Sequence, residues 1–131
     1  MSDDELIALA AQAREAAYAP YSGFRVGAAV RARDGRLFTG CNVENASYGL
    51  CNCAERTALF SAIAAGVPAG ALDRIAVIGD TAQPISPCGA CRQVMLELGG
   101  EALAVVLANL HGARQVTTAG ALLPGAFRFD P

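Results

Sequence analysis

Three cysteines and one glutamate occur in a spacing that metal chemistry can use. The motif Cys-Ala-Glu at 53–55 is followed by Pro-Cys-Gly-Ala-Cys at 87–91. Cys88 and Cys91 are spaced i, i+3, so their sulfurs share one face of a helix's first turn, where free backbone N–H groups favour thiolates. Three protein ligands leave the fourth position of a tetrahedral zinc ion open for water, which is the catalytic arrangement. We therefore predict one zinc ion held by Cys53, Cys88 and Cys91.

Other interpretations of the cysteines compete with this one. The Cys-x-x-Cys pair alone is also typical of a redox pair or of two packed core thiols. Cys51 as a fourth ligand would close the site and make the zinc structural. If a helix includes residue 51, however, Cys51 and Cys53 lie about 200° apart around it and cannot converge on one ion. Cys41, in a predicted strand, is interpreted as an inert buried thiol.

Two charged residues, Glu55 and Arg56, lie within three positions of Cys53. Glu55 in a helix's first turn is ordinarily a surface residue that complements the helix dipole, but beside a metal ligand it becomes a candidate general base. Zinc with three thiolates carries a formal charge of −1, which blunts its Lewis acidity. Arg56 would offset that charge by donating hydrogen bonds to the thiolates. The alternative interpretation is that Arg56 is an ordinary solvent-exposed arginine on the helix.

Local patterns predict the elements that must position these residues. Ser2 and Glu5 form a capping box for a helix that runs to about Tyr18. An Asp-Gly turn at 34–35, with positive φ angles, indicates a hairpin. The predicted strands are 24–32, 37–43, 74–78, 102–107 and 115–118, and the predicted further helices are 52–65 and 88–98. The link before the last strand is too short for a parallel crossover, so that strand pairs antiparallel. We expect one α/β/α domain over residues 1–131, with a mixed five-stranded sheet.

Composition and charge limit the possible classes of function. The 131 residues are 53% hydrophobic and 17% charged, with a net charge of −2, which is typical of a globular chain. Basic residues do not cluster, which argues against nucleic acid as the partner. Neither a signal peptide nor a membrane span is expected, so we predict a cytoplasmic protein with reduced thiols.

The assembled motifs resemble those of a known family. Cys-Ala-Glu followed by Pro-Cys-x-x-Cys is the signature of zinc-dependent nucleobase and nucleoside deaminases, in the variant whose first ligand is Cys. Over almost its full length the chain resembles the small, homotetrameric cytidine deaminases, with matching segments at 20–28, 40–48, 53–58 and 86–93.

The resemblance implies roles for individual residues. Cys53, Cys88 and Cys91 would bind zinc, and Glu55 would shuttle protons. Phe24 would pack against the nucleoside, Asn42 and Glu44 would bind the ribose, and Ala54 would contact the base through its backbone. Ala46 and Tyr48 would reach the site of a neighbouring subunit, and Phe127 would close the site of another. Phe127 is preferred over Phe129 because Leu-Leu-Pro-Gly-Ala precedes it.

The implied reaction is the hydrolytic deamination of cytidine and deoxycytidine to uridine and deoxyuridine plus ammonia, as in pyrimidine salvage. The alternatives are a deaminase of another pyrimidine nucleoside such as blasticidin S, and a structural zinc module without chemistry. An editing deaminase would need a basic groove, which the net charge does not support. The preference between cytidine and deoxycytidine stays open.

Overall fold

Five strands form one mixed sheet in the order β2-β1-β3-β4-β5. The structure is a computed structural model that describes residues 1–129; Asp130 and Pro131, at the end of the predicted domain, lie outside the described residues. The strands are β1 (Val26–Ala32), β2 (Leu37–Cys41), β3 (Leu72–Gly79), β4 (Ala104–Asn109) and β5 (Arg114–Thr118). Only β3 and β4 pair in parallel among these strands, and β5 pairs antiparallel to β4, as predicted. The predicted mixed five-stranded sheet is confirmed.

Helices cover both faces of this sheet. They are α1 (Asp3–Arg14), α2 (Ala54–Ala64), α3 (Gly89–Gly99) and the short α4 (Ala119–Leu122). Leu6 and Ala10 of α1 form one apolar core with the sheet, whereas α2 and α3 contribute Leu59 and Met95 to a larger core on the opposite face. The three-layer α/β/α prediction is therefore confirmed. No helix within residues 1–129 is both long and apolar enough to cross a membrane.

Two glycines let helices approach the sheet closely. A Cβ on Gly27 of β1 would lie 1.9 Å from the Ala10 carbonyl oxygen of α1. A Cβ on Gly40 of β2 would lie 2.5 Å from the Ala58 amide nitrogen of α2. Real side chains essentially never come so near to backbone atoms, so only glycine fits at either position. Gly40 thus determines how closely α2, which begins beside Cys53, packs on the sheet.

The first helix is shorter than predicted. It ends at Arg14 instead of near Tyr18, although Ser2 caps its start by accepting a hydrogen bond from the Glu5 N–H at 3.2 Å. Tyr18 instead pairs with the segment after β2: its N–H donates to the Asn42 carbonyl and its carbonyl accepts from the Glu44 N–H. These non-local bonds prevail over the helical periodicity of the preceding residues.

The hairpin turn also differs from the prediction. Gly35 has a φ of 93°, but no non-glycine residue in the described chain has a positive φ, so Asp34 does not. The Gly35 N–H donates to the Ala32 carbonyl, and the Ala32 N–H donates to the Arg36 carbonyl. This is a three-residue loop with a single left-handed position, which requires positive φ only at the glycine.

Several other boundaries shift by a few residues. The strand predicted over 37–43 ends at Cys41, and β1 starts at Val26 instead of residue 24. The helix predicted over 52–65 begins at Ala54, so residue 51 is outside it and the angular argument against Cys51 as a ligand does not apply. The short α4 was not predicted.

Candidate active site

The start of α2 and the start of α3 meet at one edge of the sheet. Both β2 and β3 run antiparallel to β1, so their carboxyl ends, Cys41 and Gly79, lie at the same edge. The helices that follow these strands begin nearby. Cys53 is the N-cap residue of α2 and Cys88 is the N-cap residue of α3. The topology therefore brings together two motifs that are far apart in sequence.

The three predicted ligands form a cluster that fits zinc. The sulfurs of Cys53, Cys88 and Cys91 all lie within 4.8 Å of one another, and those of Cys53 and Cys88 are 3.7 Å apart. A tetrahedral zinc with Zn–S bonds of about 2.3 Å separates its sulfurs by about 3.8 Å. Within the part of the chain that the structure describes, this is the one cluster of potential ligands. The geometry and the all-thiol donor set both suit zinc.

The thiols are unequal in their affinity for protons. Hydrogen bonding from the Cys91 thiol, with further contributions from Arg56 and Cys88, lowers the pKa of Cys53 to about 5 despite partial burial. The same contact with Cys53, together with burial, raises the pKa of Cys91. The directions of these shifts favour the thiolate at Cys53 and the thiol at Cys91. Because metal ligands must be deprotonated, all three thiols would have to lose their protons to hold zinc.

Arg56 contacts Cys53, the cysteine whose lowered pKa favours the thiolate form. Its Nη2 donates to the Cys53 sulfur at 3.3 Å, and this contact is the largest cause of the raised pKa of the guanidinium. Its Nε is buried without a hydrogen-bond partner among the described residues. An orphaned buried N–H is costly, so an acceptor placed beside Nε would stabilise this guanidinium.

Glu55 is buried beside the sulfurs. It is 4% exposed, and burial is the main cause that raises the pKa of its carboxyl, followed by the negative charge of Cys53. A lone surface glutamate at a helix N-terminus would show neither feature. A buried carboxyl with a raised pKa is suited both to accept and to donate a proton.

A cavity of about 200 Å³ opens onto this cluster. Three of the predicted substrate-binding residues, Phe24, Asn42 and Ala54, line it together with Glu55. The complete lining is Phe24, Val26, Asn42, Cys53, Ala54, Glu55, Ile85, Ser86 and Cys88. The sheet edge thus provides an apolar wall, one amide and one carboxyl around the metal ligands.

Asn42 and Glu44 are held by the segment that carries Phe24. Asn42 donates from Nδ2 to the Phe24 carbonyl at 2.8 Å and accepts from the Val26 N–H at 2.9 Å. Glu44 accepts from the Tyr21 and Ser22 N–H groups and from the Ser22 hydroxyl. The hydroxyl is the largest cause that lowers the pKa of Glu44. Each side chain is therefore fixed in position, and Glu44 stays ionised.

The remaining predicted residues lie outside this cavity. Glu44 and Tyr48 line a neighbouring depression of about 310 Å³, which Cys51 also borders. Ala46 is on the exposed loop between them. Phe127 and Phe129 are 72% and 78% exposed and line a different depression, beside α3. Within one chain, therefore, none of Ala46, Tyr48 and Phe127 reaches the metal ligands.

The two other cysteines are apart from the cluster. The Cys51 sulfur accepts a hydrogen bond from the Asn45 N–H at 3.3 Å, so its position supports the loop of 45–51. Cys41 was predicted to be buried, but at the end of the edge strand β2 it is only half-buried.

Sequence reasoning missed several residues of the site. Ile85 and Ser86 line the cavity, and Arg92 donates hydrogen bonds to Ser86 and Pro87, next to the ligand Cys88. One signal was available: Arg92 places a positive charge in the first turn of a helix, which the dipole disfavours. Its partners could not be read from the sequence, since one of them is as distant as Leu122.

Three thiols and a buried carboxyl at facing helix starts on an α/β/α sheet define the class of zinc-dependent deaminases. A family model described as the cytidine and deoxycytidylate deaminase zinc-binding region matches residues 1–107. The cytidine deaminases of Sporosarcina psychrophila and Halalkalibacterium halodurans are 51% and 55% identical to this chain over 97% of its length, covering 92% and 95% of theirs. The crystal structure of cytidine deaminase from Burkholderia pseudomallei superimposes with a TM-score of 0.96 at 64% identity, over 97% of this chain and 100% of that one. The chain belongs to the cytidine and deoxycytidylate deaminase family.

Replacing Arg56 tests the charge balance of the cluster. We expect Arg56→Ala to weaken zinc binding by about 10- to 100-fold, because a donor to a ligand sulfur is lost, while the urea midpoint changes little. Zinc competition with a chromogenic chelator measures this directly. Arg33→Ala, which removes an exposed arginine elsewhere, is the matched control. Equal zinc affinity in the two variants would contradict the role of Arg56.

Proposed function

We propose that this protein hydrolyses cytidine and deoxycytidine to uridine and deoxyuridine, with release of ammonia. The observation that carries the proposal is the burial of Glu55 beside the three-thiol cluster, in a cavity shared with Phe24 and Asn42. A structural zinc module would have no use for a buried carboxyl or an open ligand position. The similarity to cytidine deaminases over nearly the full chain favours cytidine over another pyrimidine nucleoside such as blasticidin S.

The nucleoside would bind between the sheet edge and the start of α2. Phe24 offers an apolar face for the nucleoside, and the backbone of Ala54 offers a contact for the base. Asn42 and Glu44 would hold the ribose, since each keeps hydrogen-bonding capacity beyond its contacts within the chain. Because those contacts already fix both side chains, binding would order few additional groups.

Glu55 would carry the protons of the reaction. Zinc, when bound, supplies the Lewis acidity that activates a water molecule near neutral pH. Glu55 would take one proton from the water and deliver it to N3 of the base while the water oxygen bonds to C4. It would then transfer the second proton to the amino group, so that the C4–N bond breaks and ammonia leaves. A raised pKa suits a carboxyl that must both accept and donate.

The wider setting follows from the same proposal. We expect a single deaminase domain over residues 1–131, in the cytoplasm, acting in pyrimidine salvage. The partner is a small nucleoside and neither nucleic acid nor membrane. We further expect a homotetramer in which Ala46, Tyr48 and Phe127 reach the sites of neighbouring subunits. The exposure of the two aromatic side chains supports their use at an interface.

Ammonia release tests the proposed reaction. With cytidine, deoxycytidine, cytosine, CMP and blasticidin S as substrates, we expect turnover of the first two and its loss after zinc chelation. The chelated enzyme should recover on addition of zinc. Turnover of blasticidin S alone would identify the alternative substrate, and no turnover with a full zinc complement would reject catalysis.

Glu55→Gln separates chemistry from metal binding. The amide is nearly isosteric but cannot shuttle protons, so we expect a loss in kcat of about 10²- to 10⁴-fold or more with zinc content unchanged. Steady-state kinetics and metal analysis on the same sample measure both. Activity near that of the wild type would refute the assignment of Glu55.

The shared site makes a prediction about the two terminal phenylalanines. We expect sedimentation at a mass about four times 13.4 kDa. Phe127→Ala should raise KM for cytidine about tenfold through lost apolar contact, whereas Phe129→Ala serves as the matched control and should leave KM near the wild-type value. A monomer in solution, or a larger effect from Phe129, would contradict the assignment.

A further inference from the structure

Arg92 connects the loop before Cys88 to the C-terminal part of the chain. Its Nε donates to the Pro87 carbonyl at 2.8 Å, and its Nη2 donates to the Ser86 hydroxyl at 2.7 Å. Its Nη1 donates to the Leu122 carbonyl at 2.9 Å. One guanidinium therefore joins three acceptors in two separate segments. A planar fork with fixed donor directions can do this, whereas an ammonium group cannot reproduce the geometry.

The position of Arg92 in α3 is unfavourable for a cation. It lies in the first turn after the N-cap residue Cys88, near the positive end of the helix dipole. Helix formation alone would favour an uncharged or acidic residue there. The three hydrogen bonds therefore offset a local electrostatic cost, which indicates that the residue serves the segments it contacts.

The segment that Arg92 holds leads directly into a zinc ligand. Ser86 and Pro87 precede Cys88, which is the exposed member of the three-thiol cluster, and Ser86 also lines the cavity. The stretch from 80 to 88 has no helix or strand. A ligand at the end of such a stretch keeps its position only if neighbouring groups restrict the backbone.

The C-terminal partner of Arg92 is itself anchored. Leu122 and Leu123 pack against the larger core, and the Gln93 amide donates to the Phe127 carbonyl at 3.1 Å. Two consecutive residues of α3 thus hold the C-terminal segment at two points. That segment gives Arg92 a fixed support against which it can restrain the loop.

We propose that Arg92 is a positioning residue for the metal centre, which holds the 86–88 loop against the C-terminal segment and so keeps Cys88 in place for zinc. The proposal extends the proposed function, because it concerns the same site, but it concerns metal retention and not the identity of the substrate. It further assigns the C-terminal segment a part in the stability of the zinc site.

The rate of zinc release tests this proposal. The wild type, Arg92→Lys and Arg92→Gln are compared by transfer of zinc to a chromogenic chelator in excess. We expect both variants to release zinc about tenfold faster or more, because lysine keeps the charge but not the three directed hydrogen bonds. Turnover at low zinc should fall, and excess zinc should restore kcat with KM for cytidine unchanged. Wild-type release from Arg92→Lys would overturn the proposal by showing that charge alone suffices.

Two further variants keep the test decisive. Arg114→Gln removes an exposed arginine that pairs with Asp4, away from the C-terminal segment, and it should release zinc at the wild-type rate. Ser86→Ala removes one of the three acceptors with little effect on folding, and it should accelerate zinc release by a smaller factor. If the Arg92 variants fail to fold, Ser86→Ala decides: release at the wild-type rate overturns the proposal. If the wild type binds zinc but releases no ammonia, the proposed function is rejected. The comparison of zinc-release rates still tests the role of Arg92 in that case.

Discussion

Three sulfurs within 4.8 Å of one another are the constraint on which the rest of the site depends. Three thiolates repel one another at this distance, so something nearby must offset their charge. Two helix N-termini point at the cluster, and the Arg56 guanidinium contacts the Cys53 sulfur. The raised pKa of Cys91, caused first by its hydrogen bond with Cys53, shows how strongly a further negative charge is disfavoured there. A zinc cation held by these three residues would offset the same repulsion.

This constraint explains features that are distant from the cluster. The two helix starts can face each other only if α2 and α3 pack on the same face of the sheet and begin at the same edge. The antiparallel placement of β1 between β2 and β3 provides the common edge. Gly40 allows α2 to approach the sheet until a Cβ would overlap its backbone. A side chain there would displace the helix that carries Glu55 and Arg56, so the packing of one strand residue bears on the chemistry.

The parts of this arrangement that the sequence predicted are those with local causes. The Ser2 cap and the Cys-x-x-Cys spacing depend on neighbouring residues, and the antiparallel β5 follows from a short link. The errors arose where distant groups prevail. The first helix ends early because Tyr18 bonds to the backbone of residues 42 and 44. The helix of residues 54–64 starts late because Asn52 exchanges backbone hydrogen bonds with Val43. Arg92 was missed because its role depends on Leu122, which only the folded chain brings near.

The substrate side of the site is organised differently from the metal side. Charge governs the cluster, whereas a chain of hydrogen bonds from Glu44 through Ser22 and Phe24 to Asn42 governs the predicted ribose contacts. These bonds lie at the surface of one chain, and the aromatic residues beside them, Tyr21 and Tyr48, are largely exposed. A hydrogen bond is electrostatically stronger where a neighbouring surface excludes water. Covering this region with another subunit would therefore strengthen the hydrogen bonds that hold Asn42 and Glu44 without changing the metal cluster.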